Sequence, residues 1–227
     1  AKVLYEYNCV TKEIEIYKTP KRKPFTRVHV CQNGDLLYGG DKLGVFYQEH
    51  GNIVYKKRSS LYDFAFSKNE ETMYIATKGG NILGFTNGKQ GYHYQKTLRS
   101  GYRFKSETQA ISVSDTNVLS LGRDNIVTLY HSKNGSIKKF YSTNYYDAKD
   151  IAVHPNGKVF ITSANDGKIY LWDIKTGTLI RDFKSNSSAI NFAKFSKDEK
   201  SIILGYNNGL IKFWELTEGG SSNTHKF

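Results

Sequence analysis

The segment Asp166-Gly167-Lys168-Ile169-Tyr170-Leu171-Trp172-Asp173 recurs without a gap forty-two positions later, as Asn208-Gly209-Leu210-Ile211-Lys212-Phe213-Trp214-Glu215. Forty-two positions earlier stands Asp124-Asn125-Ile126-Val127-Thr128-Leu129-Tyr130-His131. Weaker copies cover residues 79–86 and 40–47, and a partial one covers 1–7. At this period each unit is one supersecondary piece that cannot bury its own apolar side chains and must stack on its neighbours. The 227 residues therefore read as one array rather than two independent domains.

Residues 148–183 show the unit most clearly. Ile151-Ala152-Val153 forms a first strand, and His154-Pro155-Asn156-Gly157 is a turn in which Pro fixes φ and Gly accepts a left-handed conformation. Residues 158–163 make a second strand, Asn165-Asp166-Gly167 a tight turn, and 168–173 a third strand. Lys175-Thr176-Gly177 turns again, and 178–183 is the fourth. Four short strands separated by turn signals describe an antiparallel meander. Residues 25–55, 61–98 and 108–141 repeat it with four strands each, and 188–216 with three. Two more strands are expected at 3–7 and 13–17, with one domain over 1–220 and a flexible polar tail over 221–227. No segment sustains an apolar period near 3.6, so the fold is expected to be all-β with almost no helix.

With Asn156-Gly157, Asn165-Asp166-Gly167, Trp172-Asp173, Trp214-Glu215 and the forty-two-residue spacing in place, the chain resembles the WD-repeat family of β-propellers. The resemblance covers nearly the whole chain and is strongest from Thr108 onward. It implies four-stranded blades, about five in this sequence, against the family's usual seven. Two readings stand. The chain is part of a longer seven-bladed ring, or it closes as a small ring with the N-terminal strands completing the last unit. The resemblance also implies a hydrogen-bonded tetrad of His, Ser or Thr, Asp and Trp. Here Trp172, Asp166 and either Thr162 or Ser163 match, flanked by Gly167 and Asp173, with Trp214 as the echo in the next unit. The His position falls near Asn144, so the tetrad is incomplete, and the opening Gly-His pair is missing from every unit.

Chemistry-bearing patterns are sparse. The six histidines include no pair at i+2 to i+4, and Cys9 and Cys31 form no Cys-x-x-Cys, so no metal or other cofactor is expected. There is no Gly-x-Ser-x-Gly and no P-loop, and the acidic residues are dispersed, so no enzyme activity is expected. No apolar run is long enough for a transmembrane helix, which argues against membrane insertion. No signal-peptide layout is present, and two cysteines suit a reducing compartment; the expected location is intracellular, in cytoplasm or nucleus, and not secreted.

Positive charge is the one patterned surface feature, with a formal net charge of +12. Lys21, Arg22 and Lys23 precede the first full unit, Lys57 and Arg58 the second, and Lys96, Arg99, Arg103 and Lys105 the third. Lys138 and Lys139 precede the fourth, and Arg181 and Lys184 the fifth. In the family's layout these stretches emerge at one end of the ring, beside turns carrying Lys78 and Arg123, and would make a basic face. The same lysines are equally the ordinary solvated residues of linkers. The resemblance implies a non-catalytic protein–protein interaction scaffold, a subunit of a larger eukaryotic-type assembly with other protein subunits as partners. The basic loops leave a second reading, a ribonucleoprotein- or nucleic-acid-associated propeller meeting RNA or another phosphate-rich partner.

Overall fold

A computed structural model describes residues 3–7, 14–18, 27–34, 36–40, 44–47, 53–55, 61–89, 91–99, 106–143, 147–184, 188–196, 198–216 and 222–226. The described residues are strands and turns throughout, and none of their segments is a helix long and apolar enough to cross a membrane. Strands β1 (Val3–Tyr7) and β2 (Ile14–Lys18) pair with each other. Five four-stranded antiparallel sheets follow. The first holds β3 (Arg27–Val30), β4 (Leu36–Gly40), β5 (Gly44–Tyr47) and β6 (Ile53–Tyr55). The second holds β7 (Leu61–Phe66), β8 (Thr72–Thr77), β9 (Asn81–Gly88) and β10 (Gly91–Arg99). The third is β11 (Thr108–Val113), β12 (Asn117–Gly122), β13 (Ile126–His131) and β14 (Ile137–Ser142). The fourth is β15 (Ala148–Val153), β16 (Val159–Ala164), β17 (Lys168–Asp173) and β18 (Leu179–Lys184). The fifth is β19 (Ile190–Phe195), β20 (Ser201–Tyr206), β21 (Leu210–Glu215) and β22 (Ser222–Lys226). Each sheet is a meander in sequence order, and the molecule is a β-propeller.

One expectation is corrected here. The polar segment read as a tail after residue 220 supplies β22, which pairs along β21 from Leu210↔Lys226 to Trp214↔Ser222. A strand at a blade's rim can be polar on both faces, so its apolar pattern is too weak to announce it.

In the second, third and fourth sheets burial falls from the middle of the blade to its rim. Second strands are buried on both faces: β16 is buried from Phe160 to Ala164 and β8 from Met73 to Thr77. Such strands read as continuous apolar runs because a sheet presses on each side. Outer strands are open, with β18 exposed at five of its six residues. The core is therefore a series of seams between consecutive sheets. Leu121 and Tyr141 of the third sheet meet Ile151, Phe160 and Trp172 of the fourth, and Ile161 and Ile169 of the fourth meet Ile202 and Leu204 of the fifth. The inner strands gather round an axis, so that Lys68 in the β7–β8 turn comes within 3.8 Å of Glu199 in the β19–β20 turn, three sheets away.

One turn shows how tightly neighbours fit. Gly177 sits at φ +76°, and a Cβ there would lie 2.5 Å from Cδ1 of Tyr141 in the preceding sheet. The Tyr141 hydroxyl donates to the Ile174 carbonyl at 2.5 Å, and burial, reinforced by Asp173, pushes its pKa to about 12, so it remains a donor at neutral pH. Gly177→Ala combines left-handed strain with overpacking, and urea unfolding should show a loss of about 1–3 kcal/mol.

Candidate functional site

The Trp-Asp sequence organises the fourth sheet from within. Trp172 is buried, its Nε1–H donates to Thr162 Oγ1 at 3.0 Å, and its ring lies 9° from parallel to that of Phe160, its cross-strand partner. Ser163, the other candidate, is buried, but among the described residues its hydroxyl has no hydrogen-bond partner. Asp166 caps the β16–β17 turn by accepting the Lys168 N–H at 3.0 Å, with Gly167 at φ +77° completing the reversal. The second oxygen of Asp166 accepts the Tyr170 hydroxyl at 2.6 Å. Tyr170 is thus a carboxylate partner that the sequence reading missed; Asn144 lies outside the described residues. Asp173 is half-buried and accepts the Thr176 N–H and hydroxyl at 2.6 and 2.8 Å, which hold its carboxyl below the usual range. Trp214 is half-buried in the fifth sheet with its ring edge-on to Phe183 at 5.2 Å. These side chains build the frame and face into it.

A second constellation lies on the inner strands. Each of β7, β11, β15 and β19 is bulged at the same place: the register slips between Leu61 and Asp63, Thr108 and Ala110, Ala148 and Asp150, and Ile190 and Phe192. A bulge re-aims the residue that follows it. In two sheets that residue is an aspartate. Asp63 Oδ1 accepts the Phe64 N–H of its own strand and Oδ2 the Ile111 N–H of β11, both at 2.9 Å. Asp150 does the same with Ile151 at 2.9 Å and with Ala193 of β19 at 3.2 Å. Between them, Ser112 Oγ of β11 accepts the Val153 N–H of β15. The inner strands are stapled in succession by side-chain acceptors that reach the next sheet's backbone. Arg27 Nε lies 2.7 Å from Asp63, and Lys194 Nζ 3.4 Å from Asp150. Burial raises the Asp150 pKa; Lys194 opposes this, Asp63 adds to it, and Arg27 opposes it. The sequence held a signal for the staples: Asp63-Phe64-Ala65-Phe66 and Asp150-Ile151-Ala152-Val153 are the same pattern in two units.

The expected basic face falls largely on undescribed positions. Lys21, Arg22, Lys23, Lys57, Arg58, Arg103 and Lys105 lie outside the described residues, and Arg99 closes β10 with its side chain likewise outside them. Of the other cations given to that face, Lys96, Lys138 and Lys139 are engaged at the opposite end, whereas Arg123 stands at the end where sheets are joined. Lys96 Nζ donates to the Ser132 and Lys133 carbonyls at 2.5 and 2.8 Å. Lys139, equivalent in register, donates to those of Lys175 and Thr176 at 2.9 and 2.7 Å. Both therefore clip the next sheet at its third-to-fourth-strand turn, the end opposite the loops that join sheets. Lys138 bonds Asn117 Oδ1, and Arg123 lies 3.1 Å from Glu107. Beside the Lys96 clip, a cleft of about 490 Å³ opens between the second and third sheets, lined by Glu71, Tyr74, Gln95, Asp115 and Lys133 among others. Among the described residues, one mixed cluster of metal-binding type, His29, Cys31 and Glu70, bridges the first and second sheets.

Comparison with known proteins fits this architecture. Residues 137–198, which contain the whole Trp-Asp sheet, match the family model described as the anaphase-promoting complex subunit 4 WD40 domain. Over 123 residues, 50% of this chain, the sequence is 28% identical to the guanine nucleotide-binding protein subunit beta of Saccharomyces cerevisiae. The matched region spans 29% of that relative's length. With the register of repeats, the succession of four-stranded meanders and the buried Trp172–Thr162 bond, these similarities support a divergent WD40 β-propeller.

Proposed function

We propose that the chain is a non-catalytic interaction scaffold, a WD-repeat subunit that works inside a larger eukaryotic-type intracellular assembly by displaying rigid surfaces to other protein subunits. The WD40 match and the relative support protein interaction in general, and both carry the word subunit in their descriptions. The observation that carries the proposal is the contrast between stapled inner strands and open outer ones. Phe140 on β14 and Leu179 and Ile180 on β18 are 42%, 45% and 50% exposed on a frame that has little freedom to refold around them. Apolar side chains held on a rigid rim suit a protein partner better than a phosphate backbone. The alternative, an RNA-associated propeller, draws on the +12 charge and on the basic sequence that holds Arg99, Arg103 and Lys105.

Tagged purification of the protein, with and without nuclease, separates the two. Replacing Leu179 and Ile180 together with Asp should lower partner recovery tenfold or more, while nuclease leaves it unchanged. Recovery abolished by nuclease and indifferent to the rim variant would overturn the scaffold reading. Reversing Arg99, Arg103 and Lys105 to Glu should then remove the same partners and flatten the salt dependence of binding.

A further inference from the structure

We propose that His29, Cys31 and Glu70 form a binding site for one divalent transition-metal ion of the zinc class, clamping the first sheet to the second. His29 belongs to β3, Cys31 follows directly after it, and Glu70 comes from the β7–β8 turn of the neighbouring sheet. One ligand atom from each lies within 4.8 Å of the other two. The donor set is an imidazole nitrogen, a sulfur and a carboxylate oxygen, the three donor types that zinc takes, and sites with three protein ligands leave one open position. Tetrahedral bonds of about 2.0–2.3 Å would hold such atoms roughly 3.3–3.8 Å apart, a contraction that side-chain torsions can supply.

The surroundings orient the ligands. His29 Nε2 already meets Glu70 Oε1 at 2.9 Å, so an ion would take the place of the proton they share. The imidazole stacks on Phe66 at 4.2 Å, which fixes its plane. The Glu70 carboxylate accepts the Gln32 N–H at 3.1 and 3.0 Å, and its carbonyl accepts the Tyr92 hydroxyl at 2.6 Å. Supporting hydrogen bonds of this kind hold metal ligands in place. Glu70 sits at φ +56° in a turn position that Gly34 and Gly157 occupy in the first and fourth sheets and Glu199, at φ +63°, in the fifth. Cys31 is 8% exposed and Glu70's side chain 15%, while His29's is 33%, so the open position faces the solvent side. The site stands independently of the scaffold reading.

Cobalt(II) titration of the purified chain tests it directly. Wild type should bind one equivalent and develop a thiolate-to-metal charge-transfer absorption, which Cys31→Ser abolishes while Cys9→Ser retains it. Zinc should raise the thermal midpoint of wild type, and His29→Gln and Glu70→Gln should each weaken zinc affinity tenfold or more in competition with a chromophoric chelator. Circular dichroism of each variant without metal shows whether it is folded. No charge-transfer band in folded wild type, or an equal band in Cys31→Ser, would refute the site and leave His29–Glu70 as an inter-sheet hydrogen bond.

Discussion

Trp172→Ala should destabilise the protein by about 3–5 kcal/mol in urea unfolding, the range for emptying a buried aromatic site. Three losses add. The indole leaves the seam that the third and fourth sheets share, where Phe160 lies parallel to it at 6.0 Å between centroids. The cavity cannot collapse easily, because β16 behind it is fixed on both faces. The Thr162 hydroxyl, in a residue only 1% exposed, then loses its indole donor. Trp172→Phe separates these effects. It keeps most of the ring contact and drops the N–H, so its loss should be about 1–2 kcal/mol. Trp172 and Trp214 are the only tryptophans, so Trp214→Phe makes Trp172 a single fluorescent reporter of the same transition. A loss below about 1 kcal/mol for the alanine variant would mean that the Trp-Asp sheet does not draw its stability from this residue.

That bond was legible in the sequence because both partners lie in one hairpin, ten residues apart, where turn length sets the register. The Asp166 cap was legible for the same reason, since an Asx residue bonds its own backbone two positions on. The repeated pattern at Asp63 and Asp150 marks both positions, but the partner that each reaches in the next sheet could not be read. Asp63 and Asp150 read as dispersed acids because the partners of their second oxygens, the N–H groups of Ile111 and Ala193, lie 48 and 43 residues away. A bulge sets the aim of each, and a bulge leaves no mark in composition. Lys96 and Lys139 read as free surface charge; only the stacked neighbour reveals the carbonyls that hold them. His29 and Cys31 match no metal pair in sequence because the third ligand, Glu70, comes from another sheet. Period and turn chemistry thus specify each blade, whereas the seams between blades specify the sites.

Asp150→Ala should cost about 2–5 kcal/mol, because two backbone N–H groups, those of Ile151 and Ala193, lose their acceptor in the interior, at about 1–3 kcal/mol each. Lys194, whose side chain is 45% exposed, regains water and adds little. Asp150→Asn keeps one amide oxygen for one of these N–H groups and should lose less. The two variants also differ from wild type in how stability responds to acid. Burial first, and Asp63 second among the raising influences, lift the Asp150 carboxyl above the usual 3.8, against the opposing pull of Lys194 and Arg27. Between 3.8 and the raised value the folded protein holds more protons at this site than the unfolded chain. The site's contribution to stability therefore falls as pH rises through that window, and levels off above it where both states are ionised. Asparagine does not titrate. The stability difference between wild type and Asp150→Asn should therefore shift steadily in favour of the variant across the window and then stay constant. Removing the Asp63 charge by Asp63→Asn takes away one raising influence, so the upper limit of the window should move to lower pH. Urea midpoints of the three proteins, measured from acid to neutral pH, supply the comparison. A difference between wild type and Asp150→Asn that stays constant throughout would show that Asp150 titrates as an ordinary surface carboxylate, and that the staple between the fourth and fifth sheets is not built as the geometry has it.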